Sequence, residues 1–337
     1  MPATIQDIAR ETGLAPSTVA DILRGRTGYS ADSRRRALET AQRLHFVPNH
    51  FARSLQRQRS HTIGVVGSLT STVVSGPTLK AIIEGLRPHG YMAIFCEASE
   101  KAEGLRRAVE ELRARSVDAM VLHGSADDGA LDVFLPRDFP CVLIQSAAYS
   151  LRPHVVAERY EAFANGVHWL FARGHRRIAF LGVDNAGAML NPYNTHRLKI
   201  EGYCAAMRSL GLFDPALLLD AEFSEDGVAR LVAERRGLFP SVTAILACND
   251  RVAVAAMSAL AEVGLRVPQD CSVIGFDDLE FATAVRPKLT SFRPLREEIG
   301  AKAAAMVLDL IEGRPVSSVR VVPELIERES AGPGPAG

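Results

Sequence analysis

The residues with the most chemical potential in this chain are the arginines at its start. Residues 1–60 hold 10 Arg, no Lys and 5 acids, a net +5, while the remainder holds 29 basic and 34 acidic residues, a net −5. A guanidinium forks onto phosphate oxygens, so a basic end on a mildly acidic body points to a polyanion partner. Thr18, Arg24, Ser30, Ser33, Asn49 and Arg53 place hydroxyl, amide and guanidinium donors near expected helix ends. Such groups anchor register on phosphates without reading bases. A second polar set closes apolar runs further along: Ser68, His123, Gln145, Asn249 and Asp277. Polar strand ends line ligand clefts in α/β folds, and a carboxylate such as Asp277 accepts two hydroxyls at once. Each has a plain structural alternative: a solvated face for the arginines, a core histidine for His123, a capping acid for Asp277.

Other chemistry finds no motif. There is no GxSxG, no P-loop and no GxGxxG after a strand, and His168 and His175 stand seven apart without an acidic partner motif. The chain therefore does not read as an enzyme. The five cysteines (Cys96, Cys141, Cys204, Cys248, Cys271) are scattered and mostly sit in apolar runs. They read as reduced structural thiols of a cytoplasmic protein. Without CxxC or HExxH spacing, neither a metal nor another cofactor is expected. No apolar run approaches the roughly 18 residues of a membrane span, and MPATIQDIARETG lacks the pattern of an export signal. A transport binding protein, which needs export and no basic head, fits poorly.

Elements must position these groups. Thr4 and Asp7 form a capping-box-like helix start, with Ile5, Ile8 and Ala9 on one face and Gly13 ending the helix. A second helix begins near Pro16, its inward face Val19, Ile22 and Leu23. Gly25 to Gly28 is a loop, Ser30 an N-cap, and Ala37, Leu38, Ala41 and Leu44 stripe a third helix. Short helices joined by a Gly-containing turn make a helix-turn-helix; a generic three-helix domain is the alternative. Residues 62–330 then alternate strand and helix. One series runs Ile63–Val66, Ala93–Cys96, Ala119–Leu122 and Val142–Ile144, with helical stretches such as Leu79–Leu86 and Leu105–Ala114 between. A second runs Ile178–Leu181, Leu217–Leu219, Ala244–Ala247 and Val273–Phe276. Such units imply parallel sheets covered on both faces, arranged as two similar lobes with a cleft between them.

The stretch ATIQDIARETGLAPSTVADIL, the run from YSADSRRRALETAQRLHFVPNH to GVV, and GHRRIAFLG, KIEGYCAAM, ACNDRVAVAAM, GLRVPQDCSVIGFDD, KLTSFRPL and PELIERES together resemble the lactose/galactose repressor (LacI/GalR) family in the family's own order. The resemblance implies an α/β protein with a helix-turn-helix head, a hinge helix and a two-lobed, type I periplasmic-binding-protein-like body of two parallel sheets. The chain would cross between lobes three times, near Glu158–Tyr160, Thr290–Phe292 and Ser317–Val319. The expected organisation is a head over 1–47, a hinge over 48–60, a body over 61–330 and a disordered tail over 331–337. Lobe one would take about 61–158 and 292–316, and lobe two about 160–290 and 319–330.

By motif, Pro16, Ser17 and Asp21 fall at base-facing positions, Leu55 at the residue that wedges into the minor groove, and Ala52 close to that groove. Asp21 stands where many relatives carry Arg. It either accepts a hydrogen bond from cytosine N4 or turns to Arg24 as a helix-surface pair. Asn249 and Asp277 match effector-pocket positions of the family. Lys199, three residues before Gly202, replaces the family's effector-gripping Arg, keeping charge but losing the planar fork; Arg197 is a possible substitute. SLTSTVVSGP lacks the aromatic that many relatives place over the ligand. The implied protein is a cytoplasmic, nucleoid-associated homodimer that binds a near-palindromic DNA operator, usually as a repressor. A sugar, sugar derivative or nucleoside between the lobes would control it. The alternative is a ligand-independent DNA-binding regulator whose body serves only as a dimer scaffold.

Overall fold

The computed structural model describes residues 3–46, 59–67, 72–98, 102–123, 128–145, 151–190, 194–222 and 224–334. Asn49, Ala52, Arg53, Leu55 and Ser68, and with them residues 48–58 of the hinge expected over 48–60, lie outside these residues. The chain divides into two compact units, Met1–Ser60 and His61–Gly337.

The first unit holds α1 (Ile5–Thr12), α2 (Pro16–Leu23) and α3 (Ala31–Arg43). Thr4 and Asp7 form a reciprocal capping box, and Gly13 closes α1 at φ +68°, a conformation costly for other residues. Pro16 opens α2, and the Ser30 side chain caps α3 by accepting from the Ser33 amide at 3.2 Å. Ile8, Ala9, Val19 and Ala41 form the core, with Ile22 and Ala37 also buried. Leu38, expected inward, is 45% exposed. The small Ala37 and Ala41 bring α3 close enough to the other helices that a bulkier neighbour is left outside.

The second unit contains two six-stranded sheets. Sheet one has the order β11-β5-β4-β3-β1-β2, formed by β1 (Thr62–Gly67), β2 (Met92–Glu97), β3 (Ala119–His123), β4 (Cys141–Ile144), β5 (His154–Ala157) and β11 (Val319–Val321). Sheet two has the order β12-β10-β9-β8-β6-β7, formed by β6 (Ile178–Val183), β7 (Leu218–Ala221), β8 (Ala244–Ala247), β9 (Ser272–Phe276), β10 (Thr290–Arg293) and β12 (Glu324–Ile326). All pairings are parallel except β10 with β12. The helices are α4 (Thr72–Leu86), α5 (Ala102–Ala114), α6 (Asp128–Phe134), α7 (Arg159–Ala172), α8 (Asn185–Leu190), α9 (Thr195–Ser209), α10 (Glu225–Glu234), α11 (Asp250–Glu262) and α12 (Arg296–Ile311). Sheet one is buried between two apolar clusters, and sheet two lies within one large cluster centred on Phe163, Phe180 and Phe276. Burial on both faces explains why the inner strands read as unbroken apolar runs, whereas the edge strand β2 leaves Met92 and Phe95 exposed.

Three boundaries differ from expectation. β10 belongs to sheet two through its last residue, and the chain returns to lobe one only at 294–295, where α12 packs on α4. β11 pairs with β5 of sheet one, so the last crossing falls at 322–323 rather than Ser317–Val319. These strands are three or four residues long, too short for an apolar run to indicate which sheet takes it. The supposed tail is docked over its described part. Gly332 donates to Ser272 Oγ at 3.0 Å, its carbonyl meets His175 Nε2 at 3.1 Å, and the Gly334 amide bonds the Arg173 carbonyl at 2.8 Å.

Candidate functional site

In the head, Ser17, Asp21 and Arg24 follow the spacing that puts side chains on one helix face. Pro16, Ser17 and Arg24 are exposed, and Thr18 is partly so. Asp21 is occupied from within. Its carboxylate accepts from Tyr29 Oη at 3.0 Å and pairs with Arg24 and Arg26 at 3.4 Å each. Its carbonyl receives the Arg24 and Arg26 amides. The helix-surface pair is therefore present, enlarged by two partners in the following loop that spacing along one helix does not reveal. The hydrogen bond to Asp21 also pushes the Tyr29 phenol above its usual range. Ser30 and Ser33 spend hydrogen-bonding capacity on each other at 2.9 Å while capping α3.

In the body, charged side chains gather where the C-terminal ends of the two sheets meet. Gln145 follows β4 at φ +58° and Asp277 follows β9 at φ +114°, conformations that non-glycine residues hold only when their surroundings impose them. Arg159, the first residue of α7, donates Nη2 to Gln145 Oε1 at 2.6 Å and thereby links the two lobes. Arg296, the first residue of α12, donates Nη2 to Asp277 Oδ1 at 2.7 Å and Nη1 to the Asp277 carbonyl at 2.6 Å, a second such link. Lys199 donates Nζ to the Cys248 carbonyl at 2.7 Å and lies 4.1 Å from the centre of the Phe276 ring. Its place depends on Gly202, where an added Cβ would come 2.1 Å from the Tyr160 carbonyl oxygen. Only glycine lets α9 pack this closely on the start of α7.

The electrostatics follow from burial among cations. Burial, then the positive charge of Arg159 and Arg296, holds the His123 imidazole down at about 4. Burial, with Lys199 adding to it, holds His196 down at about 3. Burial lowers Arg159 to about 10 and lowers Lys199, opposed in both by Asp277. Asp250, wholly buried, is pushed up to about 6 by burial, although Ser291 Oγ and the Leu279 amide donate to it.

The sequence-expected residues divide accordingly. Gln145, Lys199 and Asp277 are tied to this junction by the contacts above, and His123, whose Nε2 meets Ser75 Oγ at 3.4 Å, feels the charges of Arg159 and Arg296. Asn249 caps α11 by accepting from the Val252 amide at 2.9 Å through its side-chain oxygen. Arg197 does not join them: its guanidinium pairs with Glu201 one turn on, at 2.6 Å. Sequence reasoning missed Arg159, Arg296 and His196. The strand-end rule would have found Arg159 had the four-residue strand His154–Ala157 been recognised. Arg296, in a segment reading Arg-Glu-Glu, looks like solvated helix surface. Among the described residues no group of His, Cys, Asp and Glu could hold a metal ion, and no described helix is long and apolar enough to cross a membrane.

Comparison with known proteins extends these observations. A family model described as a periplasmic binding protein-like domain matches residues 167–331. Catabolite control protein A of Priestia megaterium is 27% identical over 331 residues, 97% of this chain and 98% of that one. The transcriptional repressor PurR of Pasteurella multocida is 26% identical, covering 97% of this chain and 98% of its own. The repressor CytR of Escherichia coli is 27% identical over 94% of this chain and 92% of its own. Among solved structures, the Lac repressor dimer bound to operator and an anti-inducer superposes with a TM-score of 0.88 at 24% identity, over 98% of this chain and all of that one.

Proposed function

We propose that this chain is a member of the lactose/galactose repressor family, which it resembles over almost its whole length, and a sequence-specific DNA-binding transcriptional regulator, acting as a repressor, whose operator affinity is set by a small molecule between the lobes. The observation that carries this reading is the union, in one chain, of a separately packed, arginine-rich three-helix unit and a two-sheet body with buried charged side chains at the sheets' C-terminal ends. Two heads on a twofold dimer read two half-sites of a near-palindrome, because protein symmetry is mirrored in the site. Thr18, Arg24, Ser30, Ser33, Asn49 and Arg53 bind phosphates. Pro16 and Ser17 face bases, and Asp21 stands at the third such position. Ala52 and Leu55 enter the minor groove, where an apolar wedge costs a few kcal/mol of unstacking, offset by the contacts that the bend allows.

In the cleft, His123, Gln145, Lys199, Asn249 and Asp277, with Ser68, contact the effector. The ligand shifts the equilibrium between lobe arrangements in proportion to its differential affinity for them. Support for a ligand of this kind comes from relatives: a cellobiose complex of the regulator CelR covers 97% of this chain with a TM-score of 0.68. The protein works in the cytoplasm on the nucleoid as a homodimer.

The experiment is thermal unfolding of the full chain against a metabolite panel, since a ligand that binds only the folded state raises its stability by mass action. Each stabilising compound is then added to a DNA-binding titration. A compound that raises the midpoint and changes operator affinity supports the reading. Stabilisation without any change in DNA binding leaves the body as a scaffold and refutes it.

A further inference from the structure

We infer that the cleft binds an oxyanion between Arg159 and Lys199, so that the effector is a phosphorylated or carboxylated polyol rather than a neutral sugar or nucleoside. This rests on the reading of the cleft as an effector site and narrows it.

Charge at the junction is the first observation. Arg159, Lys199 and Arg296 converge there, and the carboxylates around them are already engaged. Asp277 is held by Arg296 at 2.7 Å. Asp278 is held by Arg293 and Arg328 at 2.6 Å each, and Glu158 by Arg320 at 3.1 Å. Asp250 takes the Ser291 hydroxyl and the Leu279 amide. Among the described residues, no carboxylate lies within ion-pairing distance of Arg159 or Lys199.

What these two cations touch is the second observation. Arg159 is only 9% exposed. It donates to two neutral oxygens, Gln145 Oε1 at 2.6 Å and the Ala157 carbonyl at 3.3 Å. Lys199 donates to one, the Cys248 carbonyl, and otherwise faces the Phe276 and Phe163 rings. A buried charge satisfied only by neutral groups is costly to the folded state. Two of them at one junction cost more, since Arg159 lowers Lys199 further and Asp277, the main opposing charge on both, is already held by Arg296. A guanidinium has five N–H donors and an ammonium three, so both keep donors for an incoming oxyanion. The nearby imidazoles are held neutral and are bonded within the protein, His123 Nε2 to Ser75 Oγ at 3.4 Å and His196 Nε2 to Asn185 Oδ1 at 3.0 Å. The Asn249 amide and Asp277 Oδ2 provide a donor and an acceptor for the rest of a polyol.

The test is thermal unfolding of the full chain at constant ionic strength. Inorganic phosphate replaces chloride, followed by three arms: ribose 5-phosphate and glucose 6-phosphate; gluconate and glucuronate; ribose, glucose and cytidine. Phosphate and one anionic arm are expected to raise the midpoint, and the arm that does so tells a phosphate from a carboxylate. Lys199→Met and Arg159→Met should each weaken that compound about tenfold or more. Lys199→Met should also raise the ligand-free midpoint, because it removes a buried charge whose one hydrogen-bond partner is a neutral carbonyl; a purely structural lysine would lower it. Anion stabilisation that survives both substitutions overturns the inference, as does a failure of every anion to stabilise the wild type. If neutral compounds alone stabilise the protein and alter operator affinity, the inference falls while the effector reading stands.

Discussion

Tyr29 donates its phenolic hydroxyl to the Asp21 carboxylate over 3.0 Å, so this acid of the net-basic head is held from within the protein. With Arg24 and Arg26 on the same carboxylate, Asp21 ties down the loop that joins α2 to α3. An acid so engaged would repel a phosphate less than a free one.

Asp21→Asn is therefore expected to weaken operator binding severalfold through a loosened loop, while leaving the preferred half-site sequence unchanged. A binding-site selection on the variant decides this; a changed preference at one base pair would mean that Asp21 reads a base instead. The same substitution should bring the Tyr29 phenol back towards its ordinary range, since the hydrogen bond to Asp21 is the main cause of its elevation. Ultraviolet titration of the tyrosines, with Tyr29→Phe to identify the signal, measures it.

Arg296 and Asp277 form a largely buried link between the lobes, with side chains 9% and 18% exposed. Arg296→Met leaves the Asp277 carboxylate without its cation and should cost about 3 kcal/mol of stability, the scale of a broken buried pair. Urea unfolding of the ligand-free protein reads this directly. A loss within experimental error would mean that the pair opens freely in solution.

His123 and His196, at about 4 and about 3, are neutral in the folded protein at pH values where the unfolded chain takes up protons at about 6.5. The unfolded state thus binds more protons between those values, and stability falls as pH drops from about 6.5 towards 4. The loss should approach ~1–2 kcal/mol per histidine by pH 5. Asp250, raised to about 6, acts in the opposite sense over about pH 4–6, because its folded form keeps a proton that the unfolded form loses. His123→Gln with His196→Asn should flatten the acid side of the profile, and Asp250→Asn should steepen it. Urea midpoints at pH 7.5 and 5 for each protein test both signs.

Leu55→Ala is expected to abolish most specific operator affinity while ligand affinity in the cleft stays near wild type, because the wedge acts only on bent DNA. Anisotropy titrations with operator and calorimetry with ligand separate the two effects. Undiminished operator binding would remove Leu55 from the interface.

Much of this was legible in the sequence because it is written locally. The Thr4–Asp7 capping box, Pro16 at a helix start and the Ser30 cap are each set by residues within a turn of one another. The buried strands read as apolar runs because both faces of each sheet are covered. Asn249 and Asp277 stand out as polar groups closing such runs. What stayed hidden depends on contacts that spacing does not encode. The bond from Tyr29 to Asp21 spans a loop whose path is set by its own turns. Arg159 and Arg296 open helices at the lobe crossings, where a charged residue looks like surface until the second sheet closes over it. The assignment of Val319–Val321 to one sheet and Glu324–Ile326 to the other is a matter of topology, since each run is too short to carry a period.

The most direct test of the whole account is selection of DNA fragments by the full-length protein from random or genomic pools, sequenced after several rounds. The account predicts a twofold-symmetric motif with two half-sites at fixed spacing, bound with an affinity that falls steeply with salt. Recovered pools no different from the input, or binding that is equal on every sequence, would contradict it.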